Sequence, residues 1–264
     1  MTVVEGEQHA WVAHGIAQRI AEVVERVHRA AHQAGRRPED VSILLATKTR
    51  TADEVRCAGE ALRAHNRPAL FGENRAQELG KHEVARDEAN PPELHFIGRL
   101  QTNKVRDVMR ACDVIESVDR DDVIAALHRR AELDDLCRDV FIQVNTSGER
   151  SKAGFAPELD LIAEVASRLT DGGRLRVRGL MTIGAHSDDA IRVRDSFARL
   201  RSLGEDLAGA VPWSTGRCEL SMGMSGDLDL AIAEGSTLVR VGSAAFGPRP
   251  HVAGSHLGSQ SRPG

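Results

Sequence analysis

No tyrosine occurs among these 264 residues, and there are only two tryptophans and six phenylalanines. Proteins that hold nucleic acid strands stack bases on aromatic rings and follow the backbone with a basic groove. With so few rings, a formal charge of −4 and no basic run, nucleic acid is not an expected partner. No apolar stretch approaches the roughly 20 residues that span a bilayer, and the opening MTVVEGEQHA lacks the basic and apolar regions of an export signal. A cytoplasmic protein with no membrane partner is expected. The four cysteines, Cys57, Cys112, Cys137 and Cys218, show no C-x-x-C spacing and lie in a chain too large to depend on disulfides, so reduced thiols are expected. His28 and His32 lie one helical turn apart, but no carboxylate or Cys cluster completes a metal site, so no metal is expected. Lysine is nearly absent too: Lys48, Lys81, Lys104 and Lys152 are the only four of 35 basic residues. Where arginine suffices for charge, a retained lysine can mark a place that needs a primary amine.

What is present is a regular alternation. From about residue 8 to 34, apolar residues recur at helical spacing (Ile16, Ile20, Val23, Val24, Val27) until Gly35 and Pro38 stop the pattern, which predicts a leading helix. The run SILLATK (42–48) then reads as a strand, followed by a helix over 53–65. Further strands are predicted at 69–73, 94–98, 113–118, 139–145, 177–183, 218–222 and 237–242, with helical stretches between. These runs lack a period of two, as expected for strands covered on both faces of a parallel sheet. Eight such units in a chain of this length predict an α/β fold, a single (β/α)8 TIM barrel with an extra N-terminal helix. No G-x-G-x-x-G or Walker A loop supports an open doubly wound sheet. Residues 1–247 should form the one domain, and 248–264, rich in Pro, Gly and Ser, a flexible tail.

Reactive groups of such barrels gather where the strands end. Lys48 falls at the end of the first strand, Glu73 and Asn74 at the second, and Asn145 at the fifth. A desolvated lysine amine attacks aldehydes readily. Position alone also allows a lysine that reaches solvent at the rim or pairs with Glu73. The segments LSMGMSGD (220–227) and VGSAAFG (241–247) place small residues and hydroxyls where barrels bind phosphate, with a helix starting near Asp227. A reactive amine and a phosphate cradle on one rim suggest an aldehyde that bears a phosphate.

At these residues the chain resembles the pyridoxal phosphate homeostasis protein family, also called the proline synthase co-transcribed family. The resemblance runs from about residue 8 to 249 through LLATKTR (44–50), FGENRAQE (71–78), HFIGRLQTNK (95–104), VNTSGERSKAGF (144–155), RGLMTIGA (178–185) and the block from Leu220 to Arg249. It implies a barrel related to the amino-terminal domain of alanine racemase, with pyridoxal 5′-phosphate as cofactor, carried on Lys48 as a Schiff base. It also implies that Arg240 faces the pyridine nitrogen. Ser221, Met222, Gly223, Gly242 and Ser243 match the phosphate-binding stretches, and Asn74, His95, Asn145 and Met181 match blocks lining the mouth. Arg75, Arg99 and Gly226 depart from the usual tyrosine, proline and acidic residue, so loop contacts around the cofactor should differ. Lys104 and Lys152, which also lie in matched blocks, read either as secondary cofactor acceptors or, the favoured reading, as salt-bridge partners, and Lys81 reads as a solvated helix residue.

The resemblance further implies a protein that binds and buffers the cofactor without robust turnover, hence no catalytic residue; pyridoxal phosphate-dependent apoenzymes would be possible recipients. The alternative is a pyridoxal phosphate-dependent amino-acid racemase. The two-base mechanism of alanine racemase uses a tyrosine and an additional β-domain, and this chain has neither a tyrosine nor residues left for that domain. With no such domain to pair, a monomer is expected.

Overall fold

The computed structural model describes residues 3–85, 87–149 and 151–248. A long helix, α1 (Val3–Gln33), leads into β1 (Ser42–Ala46). The alternation then runs α2 (Ala52–Ala64), β2 (Leu70–Glu73), α3 (Gly80–Val84), β3 (Glu93–Phe96), α4 (Val105–Ala111), β4 (Val114–Val118) and α5 (Asp121–Leu133). It continues with β5 (Arg138–Gln143), α6 (Leu159–Thr170), β6 (Leu175–Met181), α7 (Ala190–Asp206), β7 (Glu219–Met224), α8 (Leu228–Ala233), β8 (Leu238–Val241) and α9 (Ser243–Phe246). All eight strands are parallel and close in sequence order, with β8 returning to β1. The barrel and its leading helix are as the sequence predicts. The predicted tail falls, apart from Pro248, outside the described residues.

Side-chain alternation divides the strands between two environments. Ile43, Leu45, Phe71, Val140, Ile142, Val239 and Val241 face the helices and join the main apolar core. Leu44, Leu70, Val114, Phe141, Met181 and Leu238 pack together inside the barrel. Both sets are almost wholly buried, which explains the unbroken apolar runs.

Helix α1 packs on α2, α8 and α9, across the seam where β8 meets β1. Its arginines fasten that seam: Arg19 donates to the Ala245 carbonyl at 3.3 Å, and Arg26 to the Ser225 carbonyl at 2.7 Å. Just after the helix, Arg36 donates to the carbonyls of Ile232 and Ser236 at 2.9 and 2.8 Å. Helix α2 begins on a capping box, with Thr51 Oγ1 accepting from Glu54 N–H while the Glu54 carboxylate accepts from Thr51 N–H.

The strand ends differ from expectation in one respect that matters. The first strand stops at Ala46, not at Lys48, and Thr49 adopts a left-handed φ of 66°. Lys48 therefore sits on a turn beyond the strand.

Gly223, near the end of β7, has φ of 94°, and a Cβ there would lie 2.5 Å from Ala231 Cβ on α8. Gly223→Ala combines left-handed strain with overpacking and should cost about 3 kcal/mol, read as a lower midpoint in chemical denaturation. An unchanged midpoint would show that α8 moves away freely.

Candidate cofactor site at the carboxyl rim

The carboxyl ends of the strands enclose a cavity of about 390 Å³. Lys48, Asn74, Met181, Arg240, Gly242 and Ser243 line it together, six of the residues singled out in the sequence. Beside it lies a smaller recess of about 160 Å³ that shares Ile97 and Ile183 with it and holds Asn145 and Lys152. A larger cleft of about 880 Å³ lies at the opposite rim. Its arginines are paired with carboxylates or backbone carbonyls, as in the Arg176–Asp139 and Arg110–Asp134 pairs, and its described lining contains no lysine. The carboxyl-rim cavity, with its amine, is the chemically equipped one.

Lys48 Nζ has no hydrogen bond or ion pair among the described residues, whereas the backbone on either side is pinned. Thr47 N–H donates to the Gly72 carbonyl at 3.0 Å, and the Thr47 carbonyl accepts from Lys81 Nζ at 2.7 Å. Thr49 N–H donates to Glu78 Oε2 at 2.7 Å. The Lys81 ammonium also pairs with Glu73 Oε2 at 2.7 Å and Glu78 Oε2 at 3.0 Å. Lys81 is thus no solvated helix residue: its side chain is 12% exposed and organises the turn that presents Lys48. Glu73 is fully buried on the helix-facing side of β2 and is occupied by Lys81, which removes it as a partner for Lys48. Burial would raise the Glu73 pKa, but hydrogen bonds from His82 and Lys81 outweigh it and hold the carboxyl at about 2.

From the next turn, Arg50 donates to the Gly247 carbonyl at 3.1 Å and lies 5.2 Å from the Phe246 ring centre, tying this segment to α9. On that side, Ser225 Oγ accepts from the N–H groups of Gly242 and Ala244 at 3.3 and 3.4 Å. Two backbone donors therefore converge at the rim of the cavity.

Arg240 enters from β8. Its guanidinium donates to the Ser221 carbonyl and hydroxyl at 2.8 and 2.6 Å and to the Thr182 carbonyl at 2.7 Å. Beneath it, Ser221 donates to Glu116 Oε2 at 2.6 Å, and Glu116 Oε1 lies 2.6 Å from His95 Nδ1. His95 Nε2 lies 2.7 Å from Glu93 Oε1, and Arg178 bridges Glu93 and Glu219 at 2.9 and 3.0 Å. Burial works against charge on His95, yet the two carboxylates overcome it and raise its pKa to about 9. Glu93 is lowered to about 2 by His95 and Arg178 against burial, and Glu116 is lowered by His95 and Arg240, again against burial.

Residues 19–250 match the family model described as the N-terminal domain of alanine racemase. The Pseudomonas aeruginosa protein named pyridoxal phosphate homeostasis protein is 43% identical over 242 residues, 90% of this chain and 97% of that protein. The Escherichia coli K12 protein of the same name is 37% identical over 241 residues, 89% and 97% of the two chains. The chain belongs to the pyridoxal phosphate homeostasis protein family. Among solved structures, Synechococcus elongatus PipY with PLP bound has a TM-score of 0.71 and 32% identity, covering 88% of this chain and all of that one.

Five residues that the family motifs bring into consideration lie elsewhere than around the main cavity. His95 is enclosed inside the barrel rather than lining the mouth, because its strand position points inward one layer below the rim. Ser221 lies in the same layer under Arg240. Met222 points outward into the helix-facing core, and Gly223 accommodates α8. Asn145 occupies the recess, its side-chain amide donating to the carbonyls of Glu149 and Lys152. Lys152 pairs with Glu149 at 2.8 Å, as a salt-bridge reading expects. Sequence reasoning missed Ser225 and Ile97 at the cavity and Glu116 and Thr182 beneath it. Only Glu116 carried a signal, as a carboxylate inside the apolar run VIESV.

Lys81→Met leaves the buried Glu73 charge without its ammonium partner and should destabilise the fold by about 2 to 4 kcal/mol. Adding Glu73→Gln should restore part of that loss in denaturant melts; a single variant as stable as wild type would show that the pair does not matter. Glu73 and Glu93 titrate at about 2 when folded, below the ordinary 4.5, so their stabilisation is present above pH 4.5 and is lost as pH falls toward 2. Denaturation midpoints measured across that range should fall steadily with acid, and a flat profile would contradict the assignment.

Proposed function

We propose that this chain binds pyridoxal 5′-phosphate at the carboxyl rim, holds it as a Schiff base on Lys48, and serves in intracellular cofactor homeostasis without turnover of its own. The observation that carries the reading is the Lys48 amine, without a partner among the described residues and lining the same 390 Å³ cavity as Arg240. A cavity of this size suits a small cofactor. The chemistry of the donors fits the group: an amine for the aldehyde, a buried cation for an unprotonated ring nitrogen, and, for a phosphate, the Ser225 and Ser243 hydroxyls with two backbone N–H groups that Ser225 Oγ now draws together. The names of the relatives and the PLP in PipY point the same way.

In this reading, Lys48 would hold the aldehyde end through its amine, on a turn that Lys81 and Glu78 fix in place, and Arg240 would hold the ring. Gly242, Ser243 and Ser225 take the phosphate end, and Asn74 and Met181 close the sides. The bound cofactor supplies an electron sink for amines; a guanidinium beside its ring makes that sink weaker than a carboxylate would. Racemisation by two bases needs a proton acceptor on each face. Among the described residues lining the cavity, Lys48 is the only one besides two arginines with an ionisable side chain, so no second base stands on the opposite face. This supports a holder over a racemase. Residues 1–247 act as one cytoplasmic, monomeric unit, with apoenzymes that use the cofactor as its recipients.

Borohydride treatment of protein loaded with pyridoxal 5′-phosphate should fix one cofactor per chain on the peptide containing Lys48 and remove the visible band. Lys48→Ala should show neither; a reduced adduct retained by that variant overturns the site. Incubation with a panel of L-amino acids followed by chiral chromatography should show no racemisation at an enzymatic rate.

A further inference from the structure

We infer that Glu116 and His95, neither of which lines the cavity, are positioning residues for the cofactor-facing Arg240, acting through the hydroxyl of Ser221. The inference rests on the proposed placement of Arg240 against the ring and adds what fixes it there. Both ring nitrogens of His95 face carboxylate oxygens, Nδ1 at 2.6 Å from Glu116 and Nε2 at 2.7 Å from Glu93. Ionised carboxylates accept only, so both nitrogens donate and the ring is an imidazolium. The second Glu116 oxygen accepts the Ser221 proton at 2.6 Å. With its proton committed downward, Ser221 Oγ presents lone pairs upward, and Arg240, which has no acceptor, donates into them at 2.6 Å. Every donor and acceptor along the path has one orientation.

Charge enforces the same order. Arg240, Glu116, His95, Glu93, Arg178 and Glu219 alternate in sign through the barrel, and the sum is zero only while His95 is protonated. Arg240 and Glu116 are 6% and 0% exposed, so a charge lost beside either of them is not made up by water. The groups facing His95 come from β3 (Glu93) and β4 (Glu116), with Arg178 of β6, Glu219 and Ser221 of β7 and Arg240 of β8 behind them. The neighbouring interior residues of β1, β2 and β5, Leu44, Leu70 and Phe141, carry no charge, and Asp139 of β5, at the opposite rim, is paired with Arg176 of β6 at 2.8 Å. Loss of the His95 proton frees Glu116, which lies 3.9 Å from Arg240, to draw the guanidinium down from the cavity.

The test uses the whole chain with pyridoxal 5′-phosphate as probe. Nitrogen NMR of the His95 ring in unliganded protein should show both nitrogens protonated until about pH 9. The absorbance of the bound cofactor should change over the same range. Glu116→Gln and His95→Gln should retain the borohydride-fixed adduct on Lys48 but bind the cofactor about tenfold more weakly and with a displaced band. Ser221→Ala keeps every charge and serves if those variants fail to fold: His95 should still titrate while the cofactor band no longer follows it. Folded variants with wild-type affinity and band, or a Ser221→Ala band that still tracks His95, overturn the inference. Arg240→Gln separates the two levels. If its band matches wild type, Arg240 does not face the ring and the underlying placement fails; if its band shifts while the Glu116, His95 and Ser221 variants match wild type, only the positioning role fails.

Discussion

The pairing of β8 with β1 is the constraint on which the site depends. In the register Ser42 to Leu238, Ile43 to Val239, Leu44 to Arg240 and Leu45 to Val241, the last strand lies against the first along its length. Because a parallel sheet sends every carboxyl end to one rim, this closure brings Lys48 and Arg240 to the same cavity from opposite ends of the chain. An open sheet of the same strands would leave the amine on one edge and the guanidinium on the other. The arginines of α1 and its following turn lie across this seam, binding carbonyls on or beside α8 and α9. A long leading helix is thus part of how the site is held.

The barrel interior solves its packing problem in two ways. One part is the apolar cluster of Leu44, Leu70, Val114, Phe141, Met181 and Leu238. The other is the run of hydrogen-bonded charges from Glu219 to Arg240. Desolvated ion pairs do not stabilise a fold more than well-packed hydrocarbon of the same volume. Their presence in the interior is therefore better explained by the geometry they impose than by stability. The Lys81, Glu73 and Glu78 cluster does similar work outside the barrel wall, where it fixes the backbone around Lys48 without engaging its amine.

Most of the fold was legible in the sequence because strands covered on both faces announce themselves as short apolar runs and the helices keep their period. The rim residues Lys48, Asn74, Arg240 and Gly242 were legible because strand ends and family motifs both point to them. What was not legible depends on side-chain direction within a strand. A one-residue alternation puts Met222 toward the helices and Ser221 toward the interior, and no local pattern in LSMGMSGD says which is which. Nor does sequence spacing say that Glu73 meets Lys81 rather than Lys48, since that follows from α3 folding back beside β2. Ser225 escaped notice because its importance lies in accepting two N–H groups from a segment after β8.

The filled interior has a consequence for traffic. Apolar side chains and paired charges block the barrel axis, so the cavity connects to solvent at one rim only. Whatever leaves must go out by the door through which it came, and an arriving molecule cannot push a resident one out from behind. Exchange at this site is sequential: the occupant departs, or is met at the mouth, before another takes its place.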